Sequence, residues 1–168
     1  MLFRSTQVQG WRSDVPLLLW LTEGQSVDPD LVGRVLGILD ATDLKPDRLR
    51  LGVPVHLLHG DRPEPVENLR VLADAGVAMV LDGFGAAGDL RCLEELPTTA
   101  VRISSRMRTG RTPLQQGALA GMIAVIHQTG ATVMVDGIDT PAIAECWRDA
   151  GADTALGSHF PFDAVGQL

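Results

Sequence analysis

Three carboxylates, an arginine cluster and a glycine-rich stretch are the parts of this chain whose chemistry could do something. Asp82 follows the apolar run 77–81, Asp136 follows 132–135, and Asp139 lies three residues further on. If those runs are strands of one parallel sheet, their carboxyl ends share one side and the three carboxylates meet at a single mouth. Such a set could hold a hard divalent cation. Alternatively, Asp82 and Asp136 cap the turns that follow them through Asx hydrogen bonds. Arg102 ends another apolar run and is followed by Arg106, Arg108 and Arg111, a basic cluster on an acidic chain. It reads either as an anion site or as a solvated loop. Residues 84–88 (Phe-Gly-Ala-Ala-Gly) follow a strand and could cradle a phosphate, but they lack the spacing of the known glycine-rich phosphate loops. His56 and His59 read as a solvated pair, and Cys92 as a packing residue. A Ser-His-Asp pattern or nucleophile elbow is absent.

Positioning these groups falls to an alternation of strands and helices. The runs 17–21, 49–53, 77–81, 100–103, 132–135 and 154–156 are short, apolar and β-rich. Two of them, 77–81 and 132–135, are apolar at every position or nearly so, as in strands buried on both faces. Between them lie helix-period segments. Asp28 or Asp30 caps a helix carrying Leu31, Val35, Leu36, Ile38 and Leu39. Helices follow over 64–75, 89–96 and 113–129, and Thr140-Pro141 opens one that Gly151 closes. Six strands with five helical crossovers predict a parallel sheet with helices outside, as an open doubly wound sheet or a (β/α) barrel. A full eight-unit barrel needs about 200 residues or more. At 168 residues this chain is about two units short.

Composition narrows the function classes. The chain is 45% apolar and 21% charged with a net charge of −7, which excludes global disorder and argues against free nucleic acid or an anionic membrane as partners. The longest apolar run, residues 16–21, is too short to span a bilayer, and the first residues carry no secretory signal pattern. Two cysteines, Cys92 and Cys146, have no CxxC spacing. That suits a cytoplasmic protein and offers no cysteine zinc site. Residues 1–14 read as an N-terminal arm and 15–168 as one domain.

At this point the residues resemble a family. Leu81-Asp82-Gly83-Phe84-Gly85, with Leu93, Leu96 and Pro97 after it, is similar to the Asp-Asp-Phe-Gly segment of EAL domains, the cyclic-di-GMP phosphodiesterases built on a modified (β/α) barrel. Ala100-Val101-Arg102-Ile103-Ser104 resembles that family's Lys-Ile-Asp strand. Val135-Asp136-Gly137-Ile138-Asp139-Thr140 resembles its Ala-Glu-Gly-Val-Glu-Thr motif, and Leu156-Gly157 with Phe160 its Gln-Gly-Tyr-x-Phe end. Residues 27–31 and 44–49 match the family's helix and the approach to its Glu-x-Thr-Glu strand. The likeness runs over roughly residues 14–163, in order and in register. It implies an α/β fold, an incomplete (β/α) barrel of EAL type with about six parallel strands and outer helices.

The departures carry the functional expectation. The family hydrolyses a phosphodiester with two metal ions held by carboxylates. Nothing upstream of Leu17 matches the signature Glu-Ala-Leu strand. The metal-binding Asn falls at Trp20, the first Glu of Glu-x-Thr-Glu at Gly52, and the second Asp at Gly83. The lysine is Arg102, the aspartate after it Ser104, the two glutamates are Asp136 and Asp139, and the glutamine is Leu156. The resemblance so altered implies a catalytically inactive, N-terminally truncated EAL-like domain: not an enzyme, with no catalytic residue, metal or cofactor. It would serve as a protein-interaction or regulatory module in the bacterial cytoplasm, with a protein partner or a second copy covering its open strand edges. Asp82, Arg102, Asp136 and Asp139 are the remnant of the family's ligand site. The alternatives are a cyclic-di-GMP sensor without hydrolysis, less favoured, or a phosphodiesterase completed by a partner chain.

Overall fold

A computed structural model describes residues 16–58, 64–85, 90–103, 107, 112–160 and 166–167. The proposed arm 1–14, His59, Ser104, Arg106, Arg108, Arg111 and most of the glycine-rich stretch lie outside these residues. The six apolar runs form strands β1 (Leu17–Trp20), β2 (Leu49–Pro54), β3 (Ala78–Phe84), β4 (Ala100–Ile103), β5 (Thr132–Val135) and β6 (Thr154–Ala155). They pair in parallel in strict chain order, β1-β2-β3-β4-β5-β6. That order decides between the two architectures. A doubly wound sheet reverses its strand order at a switch point, whereas a barrel winds one way with its helices on one side. The result is a curled half-barrel with helices around it.

The helices are α1 (Glu23–Ser26), α2 (Leu31–Thr42), α3 (Glu64–Asp74), α4 (Cys92–Glu95), α5 (Pro113–Gln128) and α6 (Pro141–Ala150), with single 3-10 turns at Pro46–Arg48 and Val55–Leu58. Their ends are written in local chemistry. Thr112 and Thr140 each precede a proline and accept a hydrogen bond from the backbone N–H three residues on, at 3.3 Å in both cases. A threonine cap before a first-position proline satisfies one orphan donor and removes another.

Alternation along the strands sorts their side chains between two layers. Leu51, Val53, Met79, Leu81, Val101, Ile103, Val133, Val135 and Ala155 face the helices and share the main core with Leu69, Leu72, Ile123, Ile126 and Trp147. The opposite face holds a smaller cluster of Val80, Ala100 and Met134, against which Leu18 and Leu156 pack. The candidate site lies one strand-step beyond this inner cluster.

Two features of the sheet depart from the sequence expectation. β3 runs on past Leu81 through Asp82 to Phe84, with a bulge at Gly83 that shifts the register from Asp82↔Arg102 to Phe84↔Ile103. Gly83 has a φ of +79°, which suits glycine at the kink. In addition, β7 (Gly166–Gln167) pairs antiparallel with β6, so that edge carries a seventh strand. At the other edge, β1 pairs with β2 alone among the described residues.

Candidate functional site

The strand register brings Asp82 and Arg102 side by side, because they are direct partners across β3 and β4. Arg102 Nε donates to Asp82 Oδ1 at 2.6 Å, and Arg102 Nη1 donates to Asp136 Oδ2 at 3.1 Å. Asp136 is the first residue after β5, so one guanidinium ties together the carboxyl ends of three consecutive strands. Its fork geometry allows this: a planar group with several donors can reach two separate carboxylates at once. The side chains of Arg102, Asp82 and Asp136 keep 26%, 22% and 31% of their exposure, so water screens part of the attraction. Asp136 Oδ1 is buried and has no hydrogen-bond partner among the described residues.

The hydrogen bond to Asp82 raises the Arg102 pKa above its ordinary value; partial burial opposes this, and the charges of Asp82 and Asp136 add to it. The guanidinium is therefore a fixed cation at any working pH.

Trp20 completes the arrangement from β1. The Arg102 guanidinium carbon sits 4.2 Å from the centroid of the Trp20 ring, within cation–π range. The ring can lie there because its register partner on β2 is Gly52. A Cβ placed on Gly52 would fall 1.8 Å from Trp20 Cε3 and 2.2 Å from Cζ3, so the indole fills the space a side chain at position 52 would need. Trp20 keeps 40% of its exposure and forms the outward face of the mouth.

Of the four site residues read from the sequence, the structure joins Asp82, Arg102 and Asp136. Asp139 departs from them, accepting instead from Ser158 Oγ at 3.0 Å on an exposed turn. The expectation of three converging carboxylates is therefore corrected to two. Ile138, fully buried between Asp136 and Asp139, donates its N–H to Leu156 O and accepts from His159 N–H, which ties the chain after β5 to the segment after β6. Asp82 and Asp136 each give one carboxylate oxygen to a side-chain cation. Cys92 is buried, as a packing residue should be, and His56 is exposed on its 3-10 turn. The Trp20–Gly52 pairing escaped sequence reading. Its signal was a large aromatic and a glycine at the ends of adjacent strands, which gains meaning only with the register.

Comparison with known proteins follows from this geometry. The EAL domain family model matches residues 2–161. This chain belongs to the EAL domain family. Solved structures similar to this EAL domain include the PaMucR phosphodiesterase in complex with c-di-GMP, at a TM-score of 0.80 and 21% identity over 91% of this chain and 63% of that one. The EAL domain of Mycobacterium smegmatis DcpA gives 0.79 and 22%, over 91% of this chain and 70% of that one. The apo S helix-GGDEF-EAL structure of Vibrio cholerae LapD gives 0.83 and 14%, over 92% and 39%. No curated relative matches the chain. The chain thus spans about three-fifths of the PaMucR structure and less than half of the LapD one. No helix of the described residues is long and apolar enough to cross a membrane.

The family assignment corrects one expectation. The chain was expected not to be an enzyme, from motif positions that differ from the family pattern. The match over residues 2–161 puts it in the EAL domain family, and it shares its fold with a solved structure named a phosphodiesterase. Motif positions that differ from the family pattern do not by themselves show that an activity is lost.

The metal pair that the EAL resemblance implies can be tested against the residues present. Among the described residues no group of three or more His, Cys, Asp or Glu could hold a metal ion. The two carboxylates that do meet, Asp82 and Asp136, have the Arg102 guanidinium bonded to both. This donor set does not fit a pair of divalent cations.

Proposed function

We propose that this EAL domain is a regulatory module of cyclic-di-GMP signalling that works by binding a protein partner at its strand-end mouth. The observation that carries the reading is the Trp20–Arg102 stack over Asp82 and Asp136. Trp and Arg are the residues most enriched among the energetic anchors of protein interfaces, and both are most effective when held rigid. Here Gly52 seats the indole, and two carboxylates hold the guanidinium. The anchor is thus pre-organised at the end of the barrel where parallel (β/α) folds place their binding sites.

A second reading has its own support. An exposed indole is also a stacking platform for a nucleobase, so cyclic-di-GMP could lie on Trp20. Charge favours the first reading. Two carboxylates flank Arg102, and the chain carries a net charge of −7, both adverse to an incoming phosphate.

Two measurements separate these readings. The first is photo-crosslinking in the native host with wild type, Trp20→Ala and the distant surface variant Val71→Ser. A recurring crosslinked protein, lost in Trp20→Ala and kept in Val71→Ser, is expected. The second is calorimetry of the purified protein with cyclic-di-GMP. Micromolar binding weakened by Trp20→Ala, with no Trp20-dependent crosslink, would replace the protein-partner reading by the nucleotide one.

A further inference from the structure

We infer that Arg102 is the resident cation of the strand-end mouth, so that the mouth organises without divalent ions and excludes them while the guanidinium is present. The inference holds whichever binding partner the mouth takes, because it concerns what lies between Asp82 and Asp136 and not what lies above them.

Three features of the mouth converge. First, the guanidinium contacts one oxygen of each carboxylate, at 2.6 and 3.1 Å, so it stands where an ion bridging the pair would have to stand. Second, it is locked there. Trp20 lies on its face at 4.2 Å, and the ring is itself seated in the space left by the missing side chain of Gly52. Swinging Arg102 out would break both ion pairs and unstack the ring together. Third, the charges are already arranged: two negative groups enclose one fixed positive one. A divalent ion entering beside it would meet a permanent like charge at contact distance, which partly buried surroundings screen only in part.

Trp20, Gly52 and Arg102 therefore behave as one unit. The glycine admits the indole, the indole supports the guanidinium, and the guanidinium offsets the charge shared by the two carboxylates. Removing the cation alone should expose a latent site, because Asp82 and Asp136 would then face each other unneutralised. Asp136 Oδ1, without a hydrogen-bond partner among the described residues, would have its lone pairs free for an ion that reached it.

The test uses MnCl2 in the millimolar range with the full chain, read by thermal melting and by loss of the free Mn²⁺ paramagnetic resonance signal. The wild type is expected to leave both unchanged. Arg102→Met, similar in length but uncharged, is expected to melt lower without metal, to take up manganese and to regain about 2–4 °C on its addition. Arg102→Lys keeps the charge and is expected to stay insensitive to manganese. The wild-type arm needs no variant to fold. Manganese uptake by the wild type that is lost in Asp82→Asn would overturn the inference, as would uptake by Arg102→Lys equal to that by Arg102→Met. A folded Arg102→Met that ignores manganese would overturn it too.

Discussion

Gly52→Ala is the substitution whose outcome the geometry constrains most tightly. The added Cβ would sit 1.8 Å from Trp20 Cε3, and the three atoms nearest to it all belong to that indole. Restoring an ordinary carbon–carbon separation of about 3.5 Å requires the ring to retreat by roughly 1.7 Å. Trp20 ends an edge strand and is already 40% exposed, so it can swing outward and the backbone need not move. The swing breaks the stack on Arg102, worth about 0.5–2 kcal/mol, with a similar loss from apolar surface returned to water. Against this, alanine in a strand is favoured over glycine by about 0.5–1 kcal/mol. The net is a destabilisation of about 1 kcal/mol, or roughly 2–4 °C in melting temperature for a chain of this size. Urea unfolding followed by circular dichroism measures it, and a red shift in tryptophan emission reports the exposed ring. The diagnostic is a double-mutant cycle. In a Trp20→Ala background the space beside Gly52 is free, so Gly52→Ala should become neutral or mildly stabilising. Equal destabilisation in both backgrounds would refute the seating of Trp20 on Gly52.

Other substitutions discriminate the remaining contacts. Arg102→Lys loses the fork that reaches two carboxylates and should cost about 1–2 kcal/mol by chemical denaturation, although the charge is kept. Asp139→Asn should change stability by less than about 0.5 kcal/mol, because its one side-chain bond, from Ser158, is exposed. Asp153→Ala should cost about 1–3 kcal/mol in the same assay. Asp153 Oδ2 accepts from Val133 N–H at 2.7 Å and meets His127 Nε2 at 2.8 Å, tying β5 to the end of α5. Arg102 itself should add no pH dependence in the working range. Its pKa is raised, so the stability it contributes is present throughout the working range and is lost only in strong alkali, as pH rises through the raised value.

Much of the fold was legible because burial on both faces leaves a plain mark. The runs at 77–81 and 132–135 admit few polar residues, since helices cover one side and the curl of the sheet the other. Thr140-Pro141 and Gly151 punctuate α6 with residues whose backbone preferences allow little else. The four residues of α1 and the two of β7 are too short to carry any periodicity. The extension of β3 through Gly83 was hidden because a bulge breaks the alternation on which strand reading depends.

The site was legible residue by residue and not as an arrangement. Asp82, Arg102 and Asp136 stood out because each ends an apolar run, and their meeting follows from parallel register. Asp139 was misplaced because spacing along one segment does not show its partner, Ser158, nineteen residues on. Trp20 and Gly52 look like two separate departures from the family pattern when read along the chain. Across the β1–β2 ladder they are complementary, one supplying the volume that the other lacks.

The most direct check on the account is anomalous diffraction at the manganese edge from crystals of the wild-type chain soaked in MnCl2. Density for the Arg102 guanidinium between Asp82 and Asp136, with no anomalous peak there, is the predicted result. A manganese peak bridging those two carboxylates, with Arg102 displaced from Trp20, would contradict it.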